Sequence, residues 1–230
     1  MNQVENHRVR VAAAKRLAME SKLLMSGLFI AAEKSIHDIT IDEIVVHSKV
    51  SRGTFYKYFP SVGALYETLA KKIGYELVEI FSALKPDLPD PAACVAISTR
   101  MAIRMVVTYP LLGKLLLQIQ WPSRGPDSVL FKVIEEDIER GILTNRFNAM
   151  PIKLGSSLLI GSMLGAVEDM LVQLPALGYE DKVVFHVLLG LGLDAKEAQH
   201  LSSLAIELQT AIPMNGIIAK ILALPSPVSP

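Results

Sequence analysis

Apolar residues in the first third of the chain fall on helical spacings. Within 9–34, Leu17, Leu24, Leu28 and Ala31 recur seven, four and three residues apart, which places them on one face of a helix. The rhythm then tightens. Thr40, followed three residues later by Glu43, is a capping box that opens a short helix through Ile41, Ile44 and Val45. Ser51 stands where it caps a second short helix over 52–58, and Pro60-Ser61 restarts the chain into a long helix from Val62 to about Leu84. Phe55 and Phe59, four apart, are expected to face the core with Ile44 and Leu65.

The prolines at 86, 89 and 91 end that helix and open the next. Six longer helical segments follow, over 91–108, 110–121, 126–140, 149–174, 179–192 and 194–211. Their breaks fall at Pro110, Pro122 to Pro126, Gly141, Pro175 and Asp194. Strand-like alternation never persists, and no internal repeat occurs. The expectation is an all-α chain with a three-helix N-terminal domain at 12–75, whose helix-turn-helix lies at about 40–59. A long helix joins it to a larger helical domain at 76–224, and 225–230 is a disordered tail.

Composition agrees. The chain is 51% hydrophobic but only 6% aromatic, a mixture rich in good helix formers. Net charge is zero but unevenly placed: residues 1–75 hold 11 Lys and Arg against 7 Asp and Glu, and the rest holds 12 against 16. A basic head on an acidic body points only the head toward a polyanion. Cys94 is the only cysteine, so no intrachain disulfide or zinc-ligand cluster is available, which fits a reducing, cytoplasmic setting. The charge-free run between Lys153 and Glu168 is shorter than the roughly 20 residues of a membrane span, so no membrane association is expected.

The chemistry lies in the short helices. Two of them around a tight turn, the second carrying small, polar and aromatic side chains, form a helix-turn-helix pattern. The stretch Thr40-Ile-Asp-Glu-Ile-Val-Val-His-Ser-Lys-Val-Ser-Arg-Gly-Thr-Phe-Tyr-Lys-Tyr-Phe59 resembles the tetracycline-repressor (TetR) family. Ile44, Val50, Ser51, Gly53, Thr54, Tyr56 and Phe59 match that family's pattern in register, and Ser61 and Leu65 match the start of the next helix. The resemblance covers roughly 15–75. Four positions depart from it: Ser35 and Lys49 stand where glycines are usual, Tyr58 where a His is usual, and Val62 where a Lys is usual.

The residue types suit a duplex. Gly53 gives clearance at the groove floor, and Thr54 offers a hydroxyl and a methyl to a base edge. Arg52 and Lys57 reach guanine acceptors or phosphate. Tyr56 and Tyr58 donate to phosphate oxygens, and Thr40 sets a hydroxyl and amide groups at a helix N-terminus. Lys49, Ser51 and Ser61 complete the candidate DNA-binding set. Arg8, Arg10, Lys15 and Arg16 form either a groove-seeking arm or a solvated helix start.

In the resembling family the helical C-terminal domain dimerises and binds a small molecule. Arg104, Met105, Tyr109, Trp121, Phe131, Met163 and Met170 are the candidate pocket residues, although Met and aromatics suit ordinary cores equally well. Arg100 and Arg104, one turn apart, read as a solvated face or an anion clamp. His186 reads as a hydrogen-bonded core residue. Gly161 and Gly165 permit a close helix approach, either in a dimeric four-helix bundle with the 183–193 helix, Leu188 included, or inside one chain. No Ser/His/Asp set, metal cluster or glycine-rich phosphate loop is present, so no enzyme activity, metal or cofactor is expected. The resemblance implies a sequence-specific DNA-binding transcriptional regulator. The partners expected are a pseudo-palindromic operator in double-stranded DNA, a small-molecule effector and a second copy of the chain. The expected mode is a repressor released by an apolar or amphipathic ligand. The alternative is a protein of the same fold acting mainly through protein partners.

Overall fold

The computed structural model describes residues 3–84, 88–118, 128–173, 178–204 and 216–222. They are helical, without strands among the described residues, and the chain divides into two compact units after Ala70. Trp121 and the tail at 225–230 lie outside the described residues.

The first unit holds α1 (Gln3–Ala31), a 3₁₀ turn (Ile36–Asp38), α2 (Ile41–Ser48), α3 (Arg52–Tyr56) and the start of α4 (Val62–Leu84). Its core is built by Leu23, Leu24, Leu28 and Ala31 of α1, Ile44 of α2, Phe55 and Phe59 around α3, and Leu65 and Leu69 of α4. Leu17, expected on that face, is 61% exposed, because α1 makes its core contacts only from Leu23 onward. Gly27 sets the spacing of α1 and α4: a Cβ there would stand 2.6 Å from the Leu65 Cδ2. The Tyr66 hydroxyl, buried beside it, donates to the Gly27 carbonyl at 2.7 Å, and burial raises its pKa.

The α2–α3 turn pivots on Lys49, whose φ of 51° and ψ of 50° are left-handed. The Lys49 amide donates to the Val46 carbonyl at 3.1 Å and the Val50 amide to the Val45 carbonyl at 3.0 Å, the usual closure of a helix end by a left-handed residue. A Cβ in that region is strained by about 1 kcal/mol. Lys49→Gly should therefore raise the stability of the chain by up to about 1 kcal/mol, read as a higher denaturation midpoint. An unchanged or lowered midpoint would show that the lysine makes a compensating contact.

The second unit holds the rest of α4 and α5 (Pro91–Thr108), α6 (Pro110–Gln118), α7 (Val129–Leu143), α8 (Ile152–Val172), α9 (Tyr179–Leu191), α10 (Ala195–Ser202) and α11 (Ile217–Leu222). Asp90 caps α5 and Asp194 caps α10 through side-chain acceptors. α5 runs through the core, which gathers Val95 and Ala96, Ile138, Leu159 and Ile160, and Val187, Leu188 and Leu191. Arg146 clips the surface of this core, donating to Asp90 at 2.8 and 2.9 Å and to Glu197 at 2.7 Å. These bonds hold the Asp90 carboxyl below its ordinary pKa.

Both α5 and α8 reach the length and mean hydropathy of a membrane span, which the charge-free run alone did not suggest. Two thirds of the apolar window in α5 is buried in the fold, whereas only one third is in α8. The open face of α8 carries Leu154, Ser157, Gly161, Gly165, Glu168 and Val172, flanked by exposed Lys153 and Asp169.

Three expectations are corrected here. Leu188 is fully buried within the chain, so it belongs to the core and not to an interface. His186 is exposed, with its ring edge-on to Phe185 at 5.1 Å, because α9 turns Val184, Val187, Leu188 and Leu191 inward. Arg100 is only 3% exposed and bonds Asp181 at 2.6 Å and the Leu204 carbonyl, so it is a buried tie between elements and not a solvated face.

Candidate nucleic-acid interface and ligand cavity

α3 is short because its ends are fixed by local chemistry. The Ser51 hydroxyl accepts from the Thr54 amide at 3.1 Å at the start. Past Tyr56 the chain continues as a turn, with the Tyr58 and Phe59 amides both bonded to the Phe55 carbonyl, until Pro60 supplies no donor. The helix expected over 52–58 thus ends at Tyr56, and Lys57 and Tyr58 follow in the turn.

One side of α3 is anchored. Phe55 is fully buried, with Phe59 at 6.0 Å and Tyr56 at 5.8 Å between ring centroids. The other side is open: Arg52, Gly53, Tyr56 and Lys57 are exposed, and Thr54 and Tyr58 are half-buried. A Cβ added at Gly53 would meet only the Ser51 Oγ, at 3.8 Å. Nothing inside the chain requires a glycine there.

Three expected contacts have partners inside the chain, and one of them is the Thr54 hydroxyl, 3.0 Å from the Ser51 Oγ. Arg52 forms a two-pronged bond with Asp42 across the turn, which lowers the Asp42 pKa and raises that of Arg52. At the N-terminus of α2, the Glu43 carboxylate takes both the Thr40 amide and the Thr40 hydroxyl at 2.9 Å, and Lys34 holds it from the far side. That end of the helix therefore carries its own anion. Lys34 and Thr40 hold the Glu43 carboxyl down to about 2. Because the folded pKa is depressed, the capping box stabilises α2 fully above the ordinary glutamate range, and that contribution fades as the pH falls toward about 2. Ser61 differs: its hydroxyl accepts from the Ala64 amide at 3.1 Å, and the first turn of α4 has no acidic residue to compete with an incoming phosphate.

Arg8, Lys15 and Arg16 extend from the exposed part of α1, in regular helix and not in an irregular arm.

The second unit contains a cavity of about 420 Å³ among α4, α5, α6, α7 and α8. Met105 and Met163 of the candidate pocket line it. Arg104, Tyr109, Phe131 and Met170 are not among its lining residues. Arg104 is drawn to Glu180 at 2.9 Å, and Phe131 packs against the core cluster. Sequence does not single out most of the remaining wall, which includes Leu77, Val78 and Phe81 of α4, Val95, Ser98, Thr99 and Ala102 of α5, and Val133, Ile134, Asp137 and Arg140 of α7. Most of these are small or branched residues with helical spacing, indistinguishable in sequence from core. Among the described residues no group of His, Cys, Asp and Glu is arranged to hold a metal ion.

Comparison with known proteins agrees with both halves of this arrangement. Residues 27–69 match the family model described as bacterial regulatory proteins, tetR family, and residues 90–203 match the tetracyclin repressor-like C-terminal domain. No curated protein matches the sequence. Among solved structures, RolR without ligand superposes with a TM-score of 0.65 at 23% identity, over 81% of this chain and 97% of that one. RolR in complex with resorcinol gives 0.63 at 24%, over 85% and 98%. Salmonella enterica GusR gives 0.60 at 16%, over 77% and 97%, and the fatty acid degradation regulator FadR from Bacillus halodurans gives 0.56 at 14%, over 82% and 97%. At these identities the structures establish the fold. The two family models cover the reading head and most of the body behind it, and through them the chain belongs to the TetR family of transcriptional regulators.

Proposed function

We propose that this regulator is a homodimeric repressor that reads a pseudo-palindromic operator and releases it when a small, largely apolar molecule fills the cavity of the second unit. The observation that carries the DNA-reading half is α3. Its one buried anchor, Phe55, fixes the helix, while Gly53, Tyr56 and Lys57 are exposed, and no packing inside the chain requires a glycine at 53. Tyr56 and Lys57 then serve phosphate oxygens, Thr54 serves a base edge, and Ser61 with the α4 N-terminus takes a further phosphate. Lys49 and Tyr58 lie beside this surface as additional donors.

The dimer rests on the open face of α8, whose exposed stripe runs Leu154, Ser157, Gly161, Gly165, Glu168 and Val172. A partner helix covers such a stripe closely because the glycines have no side chain. Ligand control follows from linkage. The cavity includes Leu77, Val78 and Phe81 of α4, and the same helix begins beside α3. A ligand that binds a different setting of α4 better than the DNA-competent one lowers operator affinity by the ratio of those affinities.

The test is a gel-shift titration at fixed salt with genomic fragments from around the gene. Tyr56→Phe should weaken binding to every probe alike, and Thr54→Val should change the ranking of probes. Equal loss on all probes for Thr54→Val would remove its base-reading role.

One observation favours a second reading, in which the fold acts through protein partners: Arg52 is held by Asp42, and Val62 stands where the resembling pattern has a cation. Asp42→Ala separates the two. If Arg52 serves DNA, freeing it should raise operator affinity several-fold. If affinity does not move, Arg52 is a structural clip and not a DNA contact. Failure of the whole chain to retain any genomic fragment would favour the partner reading.

A further inference from the structure

The cavity of the second unit offers hydrogen bonding of one polarity. The Ser98 hydroxyl donates to the Cys94 carbonyl at 2.7 Å, and the Thr99 hydroxyl donates to the Val95 carbonyl at 2.8 Å. The Cys94 thiol turns to the Leu88 carbonyl at 3.3 Å. All three protons are engaged by backbone carbonyls, so what these wall residues have left to offer a ligand is lone pairs. Ser82, the other hydroxyl on the wall, is exposed and reaches water.

Positive charge is compensated in the same way. Arg140, the cation on the wall, pairs with Asp137 at 3.1 Å. On α5, Arg100 and Arg104 turn away to Asp181 and Glu180 and do not line the cavity. The rest of the wall is Leu, Val, Ile, Ala, Met and Phe. Among the described residues, the buried part of the wall thus holds acceptors but no uncommitted donor and no unpaired cation. An anionic head group inside the cavity would lose its water and find only Arg140 at the exposed rim, already paired with Asp137, at a cost above that of a neutral group. An uncharged donor finds Ser98 and Thr99 waiting as acceptors.

We propose that the effector is an uncharged, mainly apolar molecule bearing a phenol- or alcohol-type hydroxyl, which donates to Ser98 or Thr99, and that carboxylate-bearing acyl molecules are rejected. This deepens the ligand-controlled reading above and rests on it.

The test is calorimetric titration of the full chain at neutral pH with three probes of one skeleton: 2-naphthol, 2-methylnaphthalene and 2-naphthoate. Naphthol should bind about five- to tenfold more tightly than methylnaphthalene, the worth of one hydrogen bond. Naphthoate should bind at least about tenfold more weakly than naphthol. The Ser98→Ala, Thr99→Val double variant, close to isosteric, should bring naphthol down to the level of methylnaphthalene, and Thr99→Ser should keep the preference. Ala102→Phe, which fills the cavity, should remove all three. Naphthoate binding as well as naphthol, or a naphthol preference that survives in the double variant, overturns the proposal while the cavity remains a ligand site. Binding of none of the probes, or binding indifferent to Ala102→Phe, overturns the reading of the cavity as the effector site and this proposal with it.

Discussion

Gly53→Ala should lower operator affinity by about tenfold or more while leaving the fold as stable as before or slightly more so. The two halves of that expectation have separate sources. Inside the chain the new Cβ meets only the Ser51 Oγ at 3.8 Å, an ordinary contact. Alanine also outranks glycine in a helix by up to about 1 kcal/mol, so thermal unfolding should not shift downward. On the proposed reading, a glycine that the protein does not need for packing answers to DNA approaching from outside. On a helix seated in a major groove, even a methyl group at the point of closest approach pushes the recognition helix off the base edges. Loss of about 1.4 kcal/mol is already tenfold. Fluorescence anisotropy with labelled operator, run beside a thermal melt, reads both quantities. Unchanged affinity would place the groove contact elsewhere on α3.

The second large effect is on assembly. Gly161→Leu together with Gly165→Leu should convert a dimer into a monomer and reduce operator affinity by about a hundredfold or more, because two linked half-sites become one. The logic is the same as for Gly53. Both positions are exposed in the middle of α8, with nothing within 4 Å of an added Cβ, so leucine fits the single chain without strain. The clash arises only against a closely packed second copy. Sedimentation velocity gives the state of association, and the melt should show that the monomer stays folded. A dimer that survives both substitutions would move the interface away from this stripe.

Much of this was legible in sequence because it is written in local chemistry. Thr40 with Glu43, Ser51, Pro91 and Pro110 act within one turn of themselves, and the elements they open lie where the spacing puts them. The motif from Thr40 to Phe59 is legible for the same reason: its positions are fixed by a rigid turn, so residue type and spacing carry the geometry. What failed depended on the direction of a helix face. α8 and α9 are apolar on most sides, so periodicity did not reveal which side meets the core, and Leu188 and His186 were assigned to each other's environment. Arg100 looked solvated because its partners, Asp181 and Leu204, are 81 and 104 residues away. α11 was missed because its start is held by a distant group: the Glu76 carboxylate accepts from the Ile217 and Ile218 amides at 2.7 Å. The commitments of Arg52 to Asp42 and of Thr40 to Glu43 concern rotamers, which spacing alone leaves open.

Pocket residues were the least legible part. Met105 and Met163 line the cavity, whereas Phe131 and Met170, of the same soft or aromatic character, do not. A cavity is a property of how five helices fail to close, and residue type at one position does not encode it.

On the proposed reading, two copies of α3, held at a fixed spacing, read two halves of one DNA site. The most direct measurement is selection of bound duplexes from a randomised DNA library by the full chain, followed by footprinting of the enriched sequence. The expected result is an inverted repeat, protected on one face over two half-sites whose centres lie one or two turns apart, about 34 Å per turn. Enrichment of no sequence, or of a single asymmetric site protected once, would contradict it.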